Sequence, residues 1–312
     1  MIINISDIWS KAAIAHSRFL DKLFANYASE RKLFIGPSSL LEIKLEKFLT
    51  DHKRLIKATS GVDFSSAILD FNSSFAGDEF QQARKILNHY FDYDAFSSKE
   101  KWRERSWSAY KLCESADYLY CPYCQISPID TSIGATSKDR AYRPQLDHLL
   151  SKSDFPYLAL TLGNLVPSCE RCNGSAIKGR TDFYHVPHLN PLFDPEAISF
   201  ELVLRNKSLL GIDINDKNYK FHLRVDPAYR ERGANTIKTF KISARYKVLL
   251  KEAVAIASRA RVESIREQIF KEKLPSIKYS LEDCVGFNPL DSSYKNCSGG
   301  KMKKDVFEQW RA

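Results

Sequence analysis

Cys121-Pro122-Tyr123-Cys124 and Cys169-Glu170-Arg171-Cys172 form two CxxC pairs separated by 44 residues. Two such pairs are the donor set of a closed tetrahedral zinc site. Each two-residue spacer lets one tight turn aim both sulfurs at the same ion, about 2.3 Å away. A redox dithiol needs only one pair, and nothing beside either resembles a thioredoxin-like strand and helix. Structural Zn²⁺ is therefore expected at Cys121, Cys124, Cys169 and Cys172. The gap exceeds ordinary zinc-finger spacing, so something substantial folds between the knuckles. Cys113, Cys284 and Cys297 have no such partners and read as free thiols.

The insert contains Gln145-Leu146-Asp147-His148-Leu149-Leu150-Ser151-Lys152-Ser153. It then runs through Leu162-Gly163-Asn164-Leu165-Val166-Pro167-Ser168 into the second knuckle, with Asn173 and Lys178 beyond. Leu146, Leu149 and Leu150 flank the Asp-His pair as strand residues would, and Asn173 to Lys178 is expected to open a helix. Asp147 offers a hard carboxylate oxygen and Asn173 an amide oxygen. Together they suit Mg²⁺ or Mn²⁺ with positions left for water and phosphate. His148, next along a strand, points to the face opposite Asp147 unless the backbone bends. An imidazole whose ordinary pKa is near 6.5 suits removal of a proton from an attacking water. Taken alone, Asp147 and His148 read as a surface ion pair or a satisfied core histidine. Their bracketing by two knuckles and by Asn173 favours the catalytic reading. His185 and His188, in His-Val-Pro-His, are possible extra metal or catalytic residues, or local hydrogen-bonders. Asp194 is a lesser candidate. Arg171 and Arg180 are candidates for phosphate contact.

The order CxxC, Asp-His, Asn-Leu, CxxC-Asn and Lys resembles the zinc-stapled form of the HNH, or ββα-metal, endonuclease family. The resemblance covers about residues 117–195, roughly a quarter of the chain. It implies His148 as general base and Asp147 and Asn173 as ligands of the catalytic metal. It also implies that Asn164 braces the loop that orients His148, and that Lys178 contacts phosphate or stabilises charge. Family products carry 5′-phosphate and 3′-hydroxyl ends. The phrase Asp-His-Leu-Leu-Ser-Lys-Ser-Asp-Phe-Pro-Tyr-Leu-Ala-Leu, followed by Asn-Leu-Val-Pro-Ser-Cys, looks like the PtuB-like nucleases of Septu and retron anti-phage systems. The family commonly has Pro where Ser151 stands. Such a relationship implies a nucleic-acid substrate and a partner ATPase of the PtuA type. A retron reverse transcriptase with its msDNA is a further possible partner.

These residues need elements to hold them. Residues 1–115 read as mainly helical: Ser39 to Leu49 carries apolar residues at helical spacing after Gly36-Pro37-Ser38, with Ser38 or Ser39 as N-cap. Glu79 to Tyr90 and about Trp102 to Ser115 are further helices, none of them catalytic in appearance. Residues 116–200 form the small nuclease core, irregular enough to need a staple. Residues 201–312 are mixed. Ile198 to Leu204 and Tyr219 to Val225 alternate as half-buried strands, the first bridging the boundary between the core and this region. Ile242, Tyr246, Leu249, Ala253, Ile256, Ala260, Ile265 and Ile269 then mark one long amphipathic helix or two. The tail around Ser298-Gly299-Gly300 reads as loose. The fold class is thus α+β, with a helical N-terminal region, a zinc-stapled ββα-metal core and a strand-and-long-helix C-terminal region.

The chain has 312 residues and a net charge of +9. Lys plus Arg against Asp plus Glu runs 17 to 15 over residues 1–115, 7 to 9 over 116–200, and 23 to 14 over 201–312. Residues 232–280 alone hold 12 basic and four acidic side chains, a density that attracts a phosphate backbone but also fits a solvated helix face. No run approaches a membrane span, the N-terminus lacks signal-peptide order, and the odd cysteine count argues for a reducing, cytoplasmic setting. The expected function is a metal-dependent HNH endonuclease hydrolysing phosphodiester bonds in anti-phage defence, with weak intrinsic activity that a partner directs. The rivals are a non-catalytic zinc module recruiting nucleic acid or protein, and a stand-alone restriction or nicking enzyme.

Overall fold

A computed structural model describes residues 2–33, 40–60, 62–99, 103, 105–134, 139–205, 216–273 and 281–311. Helices fill the first third: α1 (Ala13–Leu33), α2 (Leu40–Asp51), α3 (Lys53–Ile56), α4 (Ser65–Ser74), α5 (Gly77–Tyr90), α6 (Tyr93–Ser97) and α7 (Ala109–Glu114). The caps expected at Ser38 and Ser39 lie outside the described residues, as does Trp102, and the helix anticipated from there starts only at Ala109. The α5 periodicity is as read, with Ala83 and Leu87 buried and Phe80, Ile86 and Tyr90 half-buried.

Two separate antiparallel hairpins supply the sheet structure among the described residues. In the first, β1 (Gln145–His148) pairs with β2 (Leu165–Ser168) in the register Asp147 opposite Val166 and His148 opposite Leu165. Next comes α8 (Glu170–Asn173), one short turn carrying the second knuckle. The helix expected over Asn173 to Lys178 is not formed. Gly174 leaves the helical region with ψ 164°, Gly179 takes a positive φ of 53°, and consecutive turns follow. The second hairpin pairs β3 (Ile198–Leu204) with β4 (Tyr219–Val225), with Ile198, Phe200 and Leu202 buried on one face.

The remaining helices are α9 (Arg230–Thr239), α10 (Ile242–Arg245), α11 (Leu250–Arg261), α12 (Glu263–Lys273), α13 (Glu282–Val285) and α14 (Gly300–Trp310). The long amphipathic helix is therefore broken into pieces by a 3-10 turn at Tyr246–Leu249 and a stop at Val262. Its apolar stripe still buries Ile242, Tyr246, Ala253, Ile256 and Ala260, while Ile269 is exposed and the Ile265 side chain lies outside the described set. Lys247 and Lys251 face outward. The tail is not loose. Backbone N–H of Gly299 donates to the carbonyl of Gln125 at 2.6 Å, and α14 packs against β3 and α11. Gly300 approaches Tyr294 so closely that a Cβ would sit 1.8 Å from its carbonyl oxygen, so only glycine fits there.

The N-terminal helices enclose the loop that follows β1. Tyr157, fully buried, meets Phe48 of α2 at 4.9 Å and Phe71 of α4 at 5.1 Å. Each aromatic pair adds about 1 kcal/mol beyond its burial. Gly163 N–H donates to the Ala58 carbonyl at 2.9 Å and Trp9 Nε1–H to the Leu165 carbonyl at 3.0 Å. Among the described residues no helix is long and apolar enough to cross a membrane.

Candidate active site and metal centre

The two knuckles converge. The sulfurs of Cys121, Cys124, Cys169 and Cys172 all lie within 4.8 Å of one another, and all four residues are buried. Each knuckle is a backbone turn: Cys124 and Gln125 N–H both face the Cys121 carbonyl, and Cys172 and Asn173 N–H face that of Cys169. A tetrahedral zinc with about 2.3 Å bonds requires sulfurs about 3.8 Å apart, which this cluster can meet with small adjustment. Burial, then hydrogen bonding to its three sulfur neighbours, pushes the Cys121 thiol well up. Only a cation removes the cost of making the others anionic beside it. Arg245 Nη1 lies 3.1 Å from Cys172 Sγ and supplies one external positive charge.

Residues far along the chain hold this cluster in place. Tyr246 Oη donates to the Cys124 carbonyl at 2.8 Å, and the buried Gln125 amide donates to Tyr294 while its oxygen accepts from Lys301 N–H at 2.7 Å. Tyr123, inside the first knuckle, stacks on Phe240 at 4.4 Å. None of these supports stood out in the sequence, although Tyr123 lies within the Cys-Pro-Tyr-Cys string itself.

Asp147 and His148 take opposite faces of β1. Asp147 is 3% exposed, accepts from Tyr123 Oη at 2.6 Å on Oδ2, and accepts from Lys178 Nζ at 2.5 Å on Oδ1. Lys178 also donates to the His148 carbonyl at 2.7 Å, and its ammonium lies 4.4 Å from the Phe183 ring centre. Lys178 is thus a buried ion-pair partner of Asp147, 5% exposed in this arrangement. Removing either member would strand a buried charge at a cost of about 3–5 kcal/mol.

Asn173 is half-buried and its Nδ2 donates to Gln145 Oε1 at 2.9 Å, so it stands over the Asp147 face of the hairpin. Its amide oxygen has no hydrogen-bond partner among the described residues. As a donor set, carboxylate plus amide suits a hard divalent ion. As placed, the Lys178 ammonium is the cation beside Asp147 Oδ1, so a divalent ion at this carboxylate would compete with it.

On the other face, His148 Nε2 lies 2.9 Å from the Ala159 carbonyl. A carbonyl only accepts, so Nε2 carries the proton and Nδ1 the lone pair. The ring edge meets Tyr93 of α6 at 4.5 Å, a residue that gave no signal in the sequence. Burial drives the His148 pKa down to about 4, opposed by the Ala159 contact, so the ring is neutral at pH 7. Asn164, fully buried, spans the loop: its amide donates to the Leu150 and Leu158 carbonyls at 3.0 and 3.1 Å, and its oxygen accepts from Leu150 N–H at 2.8 Å. Where the resembled family has proline, Ser151 accepts from Asp154 and Phe155 N–H on its carbonyl and from Asp154 N–H on its hydroxyl. Those bonds close the turn that a proline ring would stiffen.

The remaining candidates disperse. His185 is exposed and pairs with Asp182 at 2.6 Å. His188 is buried, stacks on Phe183 at 3.9 Å and bonds Thr239 Oγ1 at 2.7 Å. Asp194 is buried against Arg232 at 2.8 Å. Arg171 and Arg180 lie on the turns of the second knuckle, and both are exposed. Cys113 is a buried thiol pushed up to about 12 by desolvation, Cys297 is half-buried, and the Cys284 side chain lies outside the described residues.

Fold and site together define a mixed α+β protein with a four-cysteine module built around a short hairpin. Over 70 residues the chain is 37% identical to the Septu protein PtuB of Bacillus thuringiensis, a match covering 22% of this chain and 26% of that protein. The aligned part is thus about a quarter of the relative's length. No family model matches the chain, and no solved structure does.

Proposed function

We propose that the chain is a zinc-stapled endonuclease of the HNH type, hydrolysing nucleic-acid phosphodiester bonds with His148 as general base. The observation that carries this reading is His148 itself. It closes a hairpin strand between two sulfur knuckles, with Nε2–H held by a carbonyl and Nδ1 left as the lone-pair nitrogen. Such a ring can accept a proton from water without first losing one. A phosphate brought beside it raises its low pKa toward the working range, since a nearby anion favours imidazolium.

Asn164 positions the carbonyl turn that orients the ring. The Asp147–Lys178 pair fixes the strand behind it, and zinc on the four cysteines supplies rigidity rather than chemistry. Magnesium or manganese at Asp147 and Asn173 belongs to the same proposal, and it competes there with Lys178 for the carboxylate. Arg171 and Arg180 are proposed phosphate contacts. The likeness to a Septu protein supports a role in anti-phage defence. We place the chain in the cytoplasm beside a PtuA-type ATPase, with a retron reverse transcriptase and its msDNA as a further candidate partner.

His148→Ala tests the assignment. It should abolish cleavage of plasmid DNA and transfer RNA, assayed with Mg²⁺ and Mn²⁺, with and without a PtuA-type ATPase. Zinc content and the melting temperature should stay near wild type. Cleavage that survives the substitution sinks the reading. A rival draws on the ion pair of Lys178 with Asp147, which gives the acidic residue a purely structural use: a zinc module that recruits nucleic acid or protein without cutting. Such a module would never cut, and the His148→Ala substitution would leave its binding unchanged.

A further inference from the structure

A cleft of about 430 Å³ opens where three parts of the chain meet: the start of α4, the residues just after His148, and the segment 183–194 backed by α9. Its wall includes Leu149 and Leu150, the two residues that follow His148. Phe183 forms part of the same wall, and Phe183 is the ring over which Lys178 sits while it holds Asp147. The cleft is therefore one side chain away from each face of the proposed catalytic strand.

Its floor is built rigidly. Arg232, Asn235, Thr236 and Thr239 fall at i, i+3, i+4 and i+7 on one face of α9. All four bond to the 187–194 segment: Arg232 to Asp194, Asn235 to the Pro187 carbonyl at 2.9 Å, Thr236 to Leu189 N–H at 3.0 Å and Thr239 to His188. Asp194 is 1% exposed, accepts Asn190 N–H at 2.7 Å on its second oxygen, and so serves to aim Arg232. Arg232 keeps 46% of its side chain exposed with Nη1 committed to Asp194, leaving the rest of the fork for a ligand. Two partly exposed aromatic rings line the same cleft: Phe193 at 56% exposure, and Tyr184 at 39%, packed against Phe155 at 5.5 Å and His185 at 4.9 Å. Large exposed aromatics beside an oriented guanidinium are the ingredients of a stacking platform with a phosphate anchor. Asp63, on the α4 side, holds its charge because Ser65 donates to it, and it confines an anion to the Arg232 side.

We infer that this cleft binds one unpaired nucleotide of a nucleic-acid strand, its base against Tyr184 and Phe193 and its phosphate on Arg232. The inference rests on the nuclease reading only in taking that strand to be the substrate. A base must leave its stack to enter, so single strands or loops are preferred over duplex.

The test is fluorescence anisotropy with the full-length zinc-loaded chain in the His148→Ala background. The probes are a labelled 12-nucleotide single strand, as DNA and as RNA, its blunt duplex, and AMP as competitor. One of the two single strands should bind at least about tenfold tighter than the duplex. Phe193→Ala and Tyr184→Ala should each weaken that binding by about five- to tenfold with zinc content and melting unchanged. Arg232→Lys should weaken it while leaving its salt dependence nearly unchanged, because the charge is kept and the planar fork is lost. Arg232→Ala strands Asp194 and can fail to fold, so the two exposed aromatic positions carry the decision. Unchanged binding in both aromatic variants, equal affinity for duplex, or AMP competing as well as the oligonucleotide overturns the inference. The two proposals fail separately. A wild-type chain that never cleaves but loses single-strand binding with Phe193→Ala defeats the nuclease and keeps the cleft. Cleavage with cleft variants that bind normally does the reverse.

Discussion

His16, on α1, and His148, at the end of β1, direct Nε2 at consecutive regions of one turn. His16 lies 2.7 Å from the Leu160 carbonyl and His148 2.9 Å from that of Ala159. Burial lowers both pKa values to about 4, and both rings sit against aromatic side chains. They part at the second nitrogen. His16 Nδ1 accepts from Trp107 Nε1–H at 3.0 Å, which satisfies the ring completely. For His148 no hydrogen bond to Nδ1 occurs among the described residues. His16 is 1% exposed and His148 half-buried, yet the lowered pKa is common to both, so acidity does not separate a structural histidine from a candidate base. The unspent lone pair does, and it is the feature worth seeking in other imidazoles of low pKa.

The comparison is most forcefully broken by taking away the staple. Cys169→Ser, or a strong chelator, should unfold the hairpin that carries His148, because structural zinc contributes about 10 kcal/mol or more to such modules. Zinc release to a chromogenic chelator and loss of the cooperative melt are the readouts. Retention of the native melt without metal would make the cysteines merely buried.

Next in size, the two histidines should diverge on substitution. His148→Ala should lower kcat by about 10²–10⁴-fold, the usual worth of a general base, with little change in melting. His16→Ala should leave kcat within a few-fold and lower the melting temperature by several degrees, since it empties a packed site and strands Trp107.

A third test uses pH. Folded His16 stays neutral down to about pH 4, whereas the unfolded chain takes up the proton near pH 6.5. Stability supplied by His16 is thus fully present above about 6.5 and is lost as pH falls toward 4. Relative to His16→Gln, the wild type should lose about 3 kcal/mol between pH 7 and pH 4 in urea titrations. A difference that stays flat would mean that the ring is solvated.

Asn164→Ala should be smaller, about 2 kcal/mol. It releases the Leu150 and Leu158 carbonyls and loosens the turn on which both imidazoles rest. Cleavage should fall with it, and a stability loss without a rate loss would show the turn to be scaffold only. Trp107→Phe is the mildest, costing about 1 kcal/mol by freeing His16 Nδ1 and leaving kcat alone.

Much of this was legible from residue order. The CxxC spacing announced a four-sulfur cluster because two-residue turns are local objects, and the alternation in 198–204 and 219–225 named both strands of the second hairpin to the residue, though not their pairing. The opposite facing of Asp147 and His148 also followed from strand geometry alone. What escaped were contacts between distant segments. Nothing along the chain told that Lys178 turns inward to Asp147, that Tyr93 and Tyr123 pack on the two faces of the Asp-His strand, or that the Gly299-Gly300 tail closes on Gln125. Nor were the positions of the breaks in the one or two helices expected there visible, because the apolar stripe continues across the 3-10 turn at Tyr246–Leu249. Spacing reports what one turn or one strand can do by itself. Which lone pair stays empty, and which cation takes an aspartate first, depends on side chains brought together only by packing.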